Sequence, residues 1–151
     1  MPKENPRKLI FDDETFTLEP SAECPIPGYL VLRVKGQATS LAQLPAETAR
    51  ALGEMLARTA AAIEQAVGAE RVYVLSFCEI DHRLHFHLFP RTAWLLKEYF
   101  KANFNGNEPI DGPMLFAWAR GAFGPGSHAP KGTPDTTAAG EAIRAILEPE
   151  A

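Results

Sequence analysis

Arg83-Leu84-His85-Phe86-His87-Leu88-Phe89-Pro90-Arg91, preceded by His82, is the stretch on which the reading of this chain turns. Side chains alternate between the faces of a β-strand, so in a strand Arg83, His85 and His87 project together from one side. Leu84, Phe86 and Leu88 then point the other way, into a core. Imidazole is the side chain best suited to attack phosphorus, shuttle protons or bind a metal near neutral pH. The residues alone leave three readings open. The histidines form a reactive or ligand-binding face. Alternatively they hold zinc, as His-x-His on one strand does when a third ligand such as His82, His128 or Cys78 joins it. The third reading is a paired, hydrogen-bonded strand face with no chemistry.

Working outward, Arg71 to Cys78 is rich in β-branched and aromatic residues and predicts another strand. Only Glu79-Ile80-Asp81-His82 separates it from the histidine strand, which argues for an antiparallel hairpin, because a parallel crossover needs a dozen or more residues. Upstream, Lys8 to Phe11, Phe16 to Leu18 and Tyr29 to Val34 read as strands, with turn signals at Asp12-Asp13-Glu14 and Pro27-Gly28. A long helix is expected from Pro45 to Val67, stopped by Gly68, with Leu52, Leu56, Thr59, Ile63 and Val67 as its apolar stripe. Downstream, helices are expected over Thr92 to Asn103, from Asp111-Gly112-Pro113 with Met114, Leu115 and Trp118 inward, and over Thr137 to Leu147. Gly121 to Thr137, rich in Gly and Pro, reads as a flexible loop. Strands followed by helices, with an antiparallel central hairpin, define an α+β class.

The chain has 151 residues, enough for one domain spanning 1–151, and is 46% hydrophobic and 23% charged. A net charge of −4 argues against long-range attraction to a nucleic acid polymer, while leaving room for a small anionic substrate held by local cations. There is no apolar run long enough for a membrane span and no apolar signal-peptide stretch after Met1-Pro2-Lys3. Cys24 and Cys78 match no disulfide or metal framework, and both read as buried thiols. The expected location is the cytoplasm.

The run Arg83 to Arg91 resembles the signature of the histidine triad (HIT) family, in which three histidines alternate with apolar residues. Pro27-Gly28-Tyr29-Leu30-Val31-Leu32-Arg33-Val34-Lys35-Gly36-Gln37 is similar to that family's Pro-Gly-His strand and lysine loop. The resemblance covers roughly Phe11 to Arg91. It implies a HIT-like half-barrel of antiparallel strands with one long central helix and C-terminal helices, usually assembled as a homodimer. It also implies hydrolysis or transfer at the α-phosphate of a nucleotide, of the dinucleoside polyphosphate or nucleoside phosphoramidate type, with no cofactor and no metal. Mapped by spacing, His85 is the nucleophile that carries the nucleotidyl group, and His87 contacts a phosphate oxygen or orients its neighbour. Arg83 and His82 are the expected phosphate-binding residues. Phe11, Phe16, Leu18 and Glu19 are the expected nucleoside-binding residues, Glu19 holding the ribose.

Several positions depart from the family pattern. The first triad position is Arg83, with His82 one place off. Glu79 stands where the enzymes usually carry a phosphate-contacting glutamine, and Cys78 where a glycine precedes it. Ile80 replaces a hydroxyl donor, Val72 an asparagine, and Tyr29 and Gln37 the histidines of the upstream motifs. These departures keep open a nucleotide-binding protein with little or no catalysis.

Overall fold

The computed structural model describes residues 9–103 and 109–148. Oδ1 of Asp13 accepts the backbone N–H groups of Thr15 at 2.8 Å and Phe16 at 2.7 Å, and this turn folds β1 (Phe11–Asp12) onto β2 (Phe16–Pro20). β1 is shorter than the expected strand, whose first residue, Lys8, lies outside the described residues. β3 (Leu30–Val34) follows the Pro27-Gly28 turn. Gly28 has φ +88°, and a Cβ there would meet the Val67 side chain at 3.1 Å, so glycine lets the strand begin against the end of the long helix.

That helix, α1 (Ala46–Val67), begins after Pro45 and ends at Gly68 in the left-handed region. β4 (Arg71–Leu75) and β5 (His85–Arg91) form the expected antiparallel hairpin, but β4 stops short of Cys78, so the connection is longer than expected. α2 (Ala93–Ala102), α3 (Gly112–Ala122) and α4 (Thr136–Leu147) start where Thr92, Asp111 and Asp135 accept N–H groups of the first turn. The irregular segment between α3 and α4 is therefore slightly narrower than the expected loop.

The sheet order is β1-β2-β3-β5-β4, and every pairing is antiparallel. The α+β class follows. Phe16, Leu18, Leu30, Leu32, Phe86 and Leu88 cover one face and pack against Leu52, Met55 and Ile63 of α1 and Ile143 and Leu147 of α4. Ile26, Tyr29, Phe89, Leu95, Phe116 and Ala119 form a second core on the other face, where α2 and α3 pack. Phe89 shares its face with His85 and His87, so half of the histidine face is roofed and half is open. Met114, expected inward, is exposed; Leu115, Phe116 and Ala119 are the inward residues of α3. Among the described residues no helix is long and apolar enough to cross a membrane.

Candidate active site

Register builds the site. Glu19 pairs with Val31 between β2 and β3; Val31 pairs with His87, and Arg33 with His85, between β3 and β5. Paired residues share a face, so all five side chains rise from the side opposite Leu18, Leu32 and Phe86. They floor an open cleft of about 320 Å³, within the range of small-molecule sites. Glu19 to Glu23 make one wall, Phe77 to Asp81 the other, and Arg120 reaches in from α3.

His85 is buried, and its Nδ1 lies 2.7 Å from the Arg83 carbonyl oxygen. A carbonyl only accepts, so Nδ1 carries the hydrogen, and in the neutral ring Nε2 keeps its lone pair. Cys78 Sγ is 3.6 Å from the same Nδ1, and Ser76 Oγ donates to the His85 carbonyl at 2.7 Å. The backbone thus sets both ring orientation and tautomer.

His87 sits 5.4 Å from His85, centroid to centroid, with its Nδ1 2.7 Å from Tyr29 Oη. Burial, helped by the charges of Arg120, His85 and Arg33, pushes the His87 pKa down to about 4. Burial likewise pushes the Tyr29 phenol up to about 12. Both groups are neutral at pH 7. A phenol is the stronger donor of the two and a neutral imidazole nitrogen the stronger acceptor, so this bond runs from the phenol to His87 Nδ1. His87 Nε2 then carries the ring hydrogen and offers a donor.

Charges line the walls in pairs. Arg33 donates from Nε to Glu19 and from Nη1 to Asp81, each at 3.1 Å. Arg120 donates to Glu23 at 2.9 Å and lies 5.5 Å over the Phe116 ring. Asp81 also accepts from Arg83 through Nε at 3.1 Å and Nη2 at 3.0 Å, and these guanidinium contacts hold its carboxyl well below the usual carboxylate range. Glu79 lines the cleft with no such partner among the described residues.

His85, His87 and Glu19 come together as expected; the other expected site residues do not. Arg83 precedes β5 and turns its side chain, 71% exposed, to Asp81, so it does not share the histidine face. His82 is exposed and donates from Nδ1 to the Cys78 carbonyl at 3.0 Å, away from the cleft lining. Phe16 and Leu18, at 3% and 0% exposure, belong to the core on the opposite face, and Phe11 packs against that core. Parity along β2 explains this: Thr17 and Glu19 take the histidine face, and Phe16 and Leu18 cannot. His128 is exposed and outside the cleft lining. Arg33, Arg120 and Tyr29 were not expected in the site. Alternation in Leu30-Val31-Leu32-Arg33-Val34 marks Arg33 as off the core face, whereas nothing local marks Arg120.

No family model matches the sequence, and no curated protein is similar to it by sequence search. Solved structures are similar. A HIT-like protein involved in cell-cycle regulation from Bartonella henselae superposes with TM-score 0.57 at 19% identity, covering 94% of this chain and 87% of that one. A hypothetical histidine triad nucleotide-binding protein from Sulfolobus tokodaii gives TM-score 0.59 at 15% identity, over 92% of this chain and 82% of that one. A zinc-bound histidine triad family protein from Mycobacterium smegmatis gives 0.57 at 19% identity, over 94% and 84%. Among the described residues of this chain, no three His, Cys, Asp or Glu side chains converge as metal ligands. The sheet, its order and the placement of the His-x-His strand beside the cleft accordingly give this chain the HIT-like α+β fold of the histidine triad proteins.

Proposed function

We propose that the protein is a hydrolase or transferase acting at the α-phosphate of a nucleotide through a nucleotidyl intermediate on His85. The observation that carries this reading is the 2.7 Å bond from His85 Nδ1 to the Arg83 carbonyl, which leaves Nε2 as the nucleophilic nitrogen beside a cleft. Imidazole is both a good nucleophile and a good leaving group, so it divides one difficult displacement into two easier ones. His87 Nε2–H and the guanidiniums of Arg33 and Arg120 supply donors for the equatorial phosphate oxygens. Glu19 is the acceptor for ribose hydroxyls.

In the first step the His85 Nε2–P bond forms and the bond to the leaving group breaks. The leaving group keeps the electron pair and takes a proton from solvent. In the second step water attacks phosphorus, the pair returns to Nε2, and the water's proton is released. The cleft is lined by four carboxylates (Glu19, Glu23, Glu79, Asp81) against two guanidiniums (Arg33, Arg120). That balance disfavours a polyphosphate and favours a substrate with a single phosphate charge and an amine leaving group, a nucleoside phosphoramidate. Homodimeric assembly and a cytoplasmic location belong to the same reading.

A second reading, nucleotide binding without turnover, is favoured by one observation: both guanidiniums are already bonded to carboxylates. The test is to incubate wild type and His85→Ala with nucleoside phosphoramidates and dinucleoside polyphosphates, following released mononucleotide and an acid-labile protein adduct. Release by wild type alone, with an adduct on His85, is the expected result. Saturable nucleotide binding without release would establish the second reading, and equal release by both proteins would remove His85 as nucleophile.

A further inference from the structure

We propose that Asp81 is a positioning residue that fixes the orientation and tautomer of His85 through the Arg83 peptide. The inference rests on the reading of His85 as nucleophile, but its geometry does not depend on the substrate. Oδ1 of Asp81 accepts the Arg83 backbone N–H and the Arg83 Nε, both at 3.1 Å. Oδ2 accepts Arg83 Nη2 at 3.0 Å and Arg33 Nη1 at 3.1 Å. One carboxylate therefore grips Arg83 by both its backbone and its guanidinium fork, and ties it to a strand residue in register with His85.

The consequence falls on a single carbonyl. The Arg83 oxygen receives His85 Nδ1–H at 2.7 Å. The next N–H, that of Leu84, donates to the Ala38 carbonyl at 3.0 Å, so the peptide plane is held from its far side as well. Asp81 supplies the near-side hold. Arg83 follows an irregular connection rather than lying within β5, so no strand ladder fixes it there. If Arg83 swings, His85 Nδ1 loses its acceptor, and the ring is free to turn or to place its hydrogen on Nε2. An Nε2–H tautomer has no lone pair to attack phosphorus. The same arrangement accounts for an arginine at the first position of the histidine run: it serves as the handle by which the carboxylate holds the backbone.

The test reads the ring itself, by ¹⁵N NMR of the histidine side chains in wild type, Asp81→Ala, Asp81→Asn, Arg83→Ala and the Asp81→Ala/Arg83→Ala double variant. Wild-type His85 is expected as the Nδ1–H tautomer. Asp81→Ala is expected to give a mixture, with Asp81→Asn intermediate because its remaining oxygen still accepts one N–H. With a turned-over substrate, kcat should fall about 10- to 100-fold at nearly constant KM, the scale of a small misplacement of a reacting group. The double variant should be no worse than Asp81→Ala alone, because the two residues act as a unit. Amide dispersion unchanged outside residues 76–84 would show that the fold survives. A wild-type His85 protonated on Nε2, or an Asp81→Ala protein with unchanged tautomer and rate, would overturn the proposal. A tautomer that shifts in proteins without turnover would uphold the positioning role while ending the nucleotidyl-transfer reading.

Discussion

Tyr29 Oη and His87 Nδ1 stand 2.7 Å apart, joining the second core to the cleft through one side chain. The Tyr29 ring packs edge-on against Phe89, with centroids 5.3 Å apart, while its hydroxyl holds the histidine. Tyr29→Phe preserves the packing and removes only the hydrogen bond. The expected loss of stability is about 1 kcal/mol, the net value of one such bond. The larger effect should fall on kcat, because His87 then loses the partner that sets its ring hydrogen on Nε2. Denaturant unfolding and steady-state kinetics on the same preparation separate the two.

The depressed pKa of His87, about 4, makes a pH prediction with a definite sign. An unfolded histidine takes up its proton near pH 6.5, well before the folded one does. Between those values the unfolded state binds more protons, so stability is full above about pH 6.5 and is lost as pH falls towards 4. The thermal midpoint should drop across that window, and His87→Gln should lose part of the drop. An identical pH dependence in the variant would remove His87 as the source.

After burial, the guanidinium of Arg120 is the strongest influence acting against protonation of His87. Arg120→Gln should therefore raise the His87 pKa while weakening nucleotide binding, since one of the two cleft guanidiniums is removed. NMR titration of the His87 ring and a binding isotherm for a nucleoside monophosphate check both halves. A lower His87 pKa in the variant would contradict the electrostatic account.

Alternation was legible from the chain. Leu30-Val31-Leu32-Arg33-Val34 and His85-Phe86-His87-Leu88-Phe89 each carry a core face, and the α1 stripe with its Gly68 stop falls where periodicity places it. Beyond the β4–β5 hairpin, what the residues did not disclose was pairing. Arg33 becomes a site residue only because β3 pairs with β5 in the register that sets it opposite His85. Phe16 and Leu18 are apolar enough to contact a base, but parity along β2 commits them to the core and leaves Glu19 on the reactive side. Arg83 belongs to the quoted run, yet the strand begins two residues later, so alternation does not govern its direction. Arg120 is brought in by packing of α3, which no local pattern encodes.

Glu79 lines the cleft without a cationic partner among the described residues, on the wall opposite Glu19. Substituting Glu79→Gln removes one negative charge and keeps the shape. The variant should gain on dinucleoside polyphosphates relative to phosphoramidates, by about tenfold in the ratio of kcat/KM values if the carboxylate contributes about 1.4 kcal/mol of repulsion. Competition between the two substrates in one reaction reads the ratio directly. An unchanged ratio would show that the charge does not face the leaving group.

Cys78 begins the turn that leads to Asp81, and it does so with φ +54°. A side chain in the left-handed region costs about 1–2 kcal/mol, and least for glycine. Here Cys78 Sγ recovers part of that cost through contacts with Ser76 Oγ at 3.4 Å and His85 Nδ1 at 3.6 Å. Glycine would relieve the strain but lose these contacts and add freedom to the unfolded chain, so Cys78→Gly should fall within about 1 kcal/mol of wild type. Cys78→Val meets the full steric penalty of a β-branched residue at positive φ and should be the less stable variant by a clear margin. Equal stability of the two in denaturant unfolding would mean that residue 78 does not hold the left-handed conformation in solution. The connection would then leave β4 by another path, and the distances linking Asp81, Arg83 and His85 would change with it.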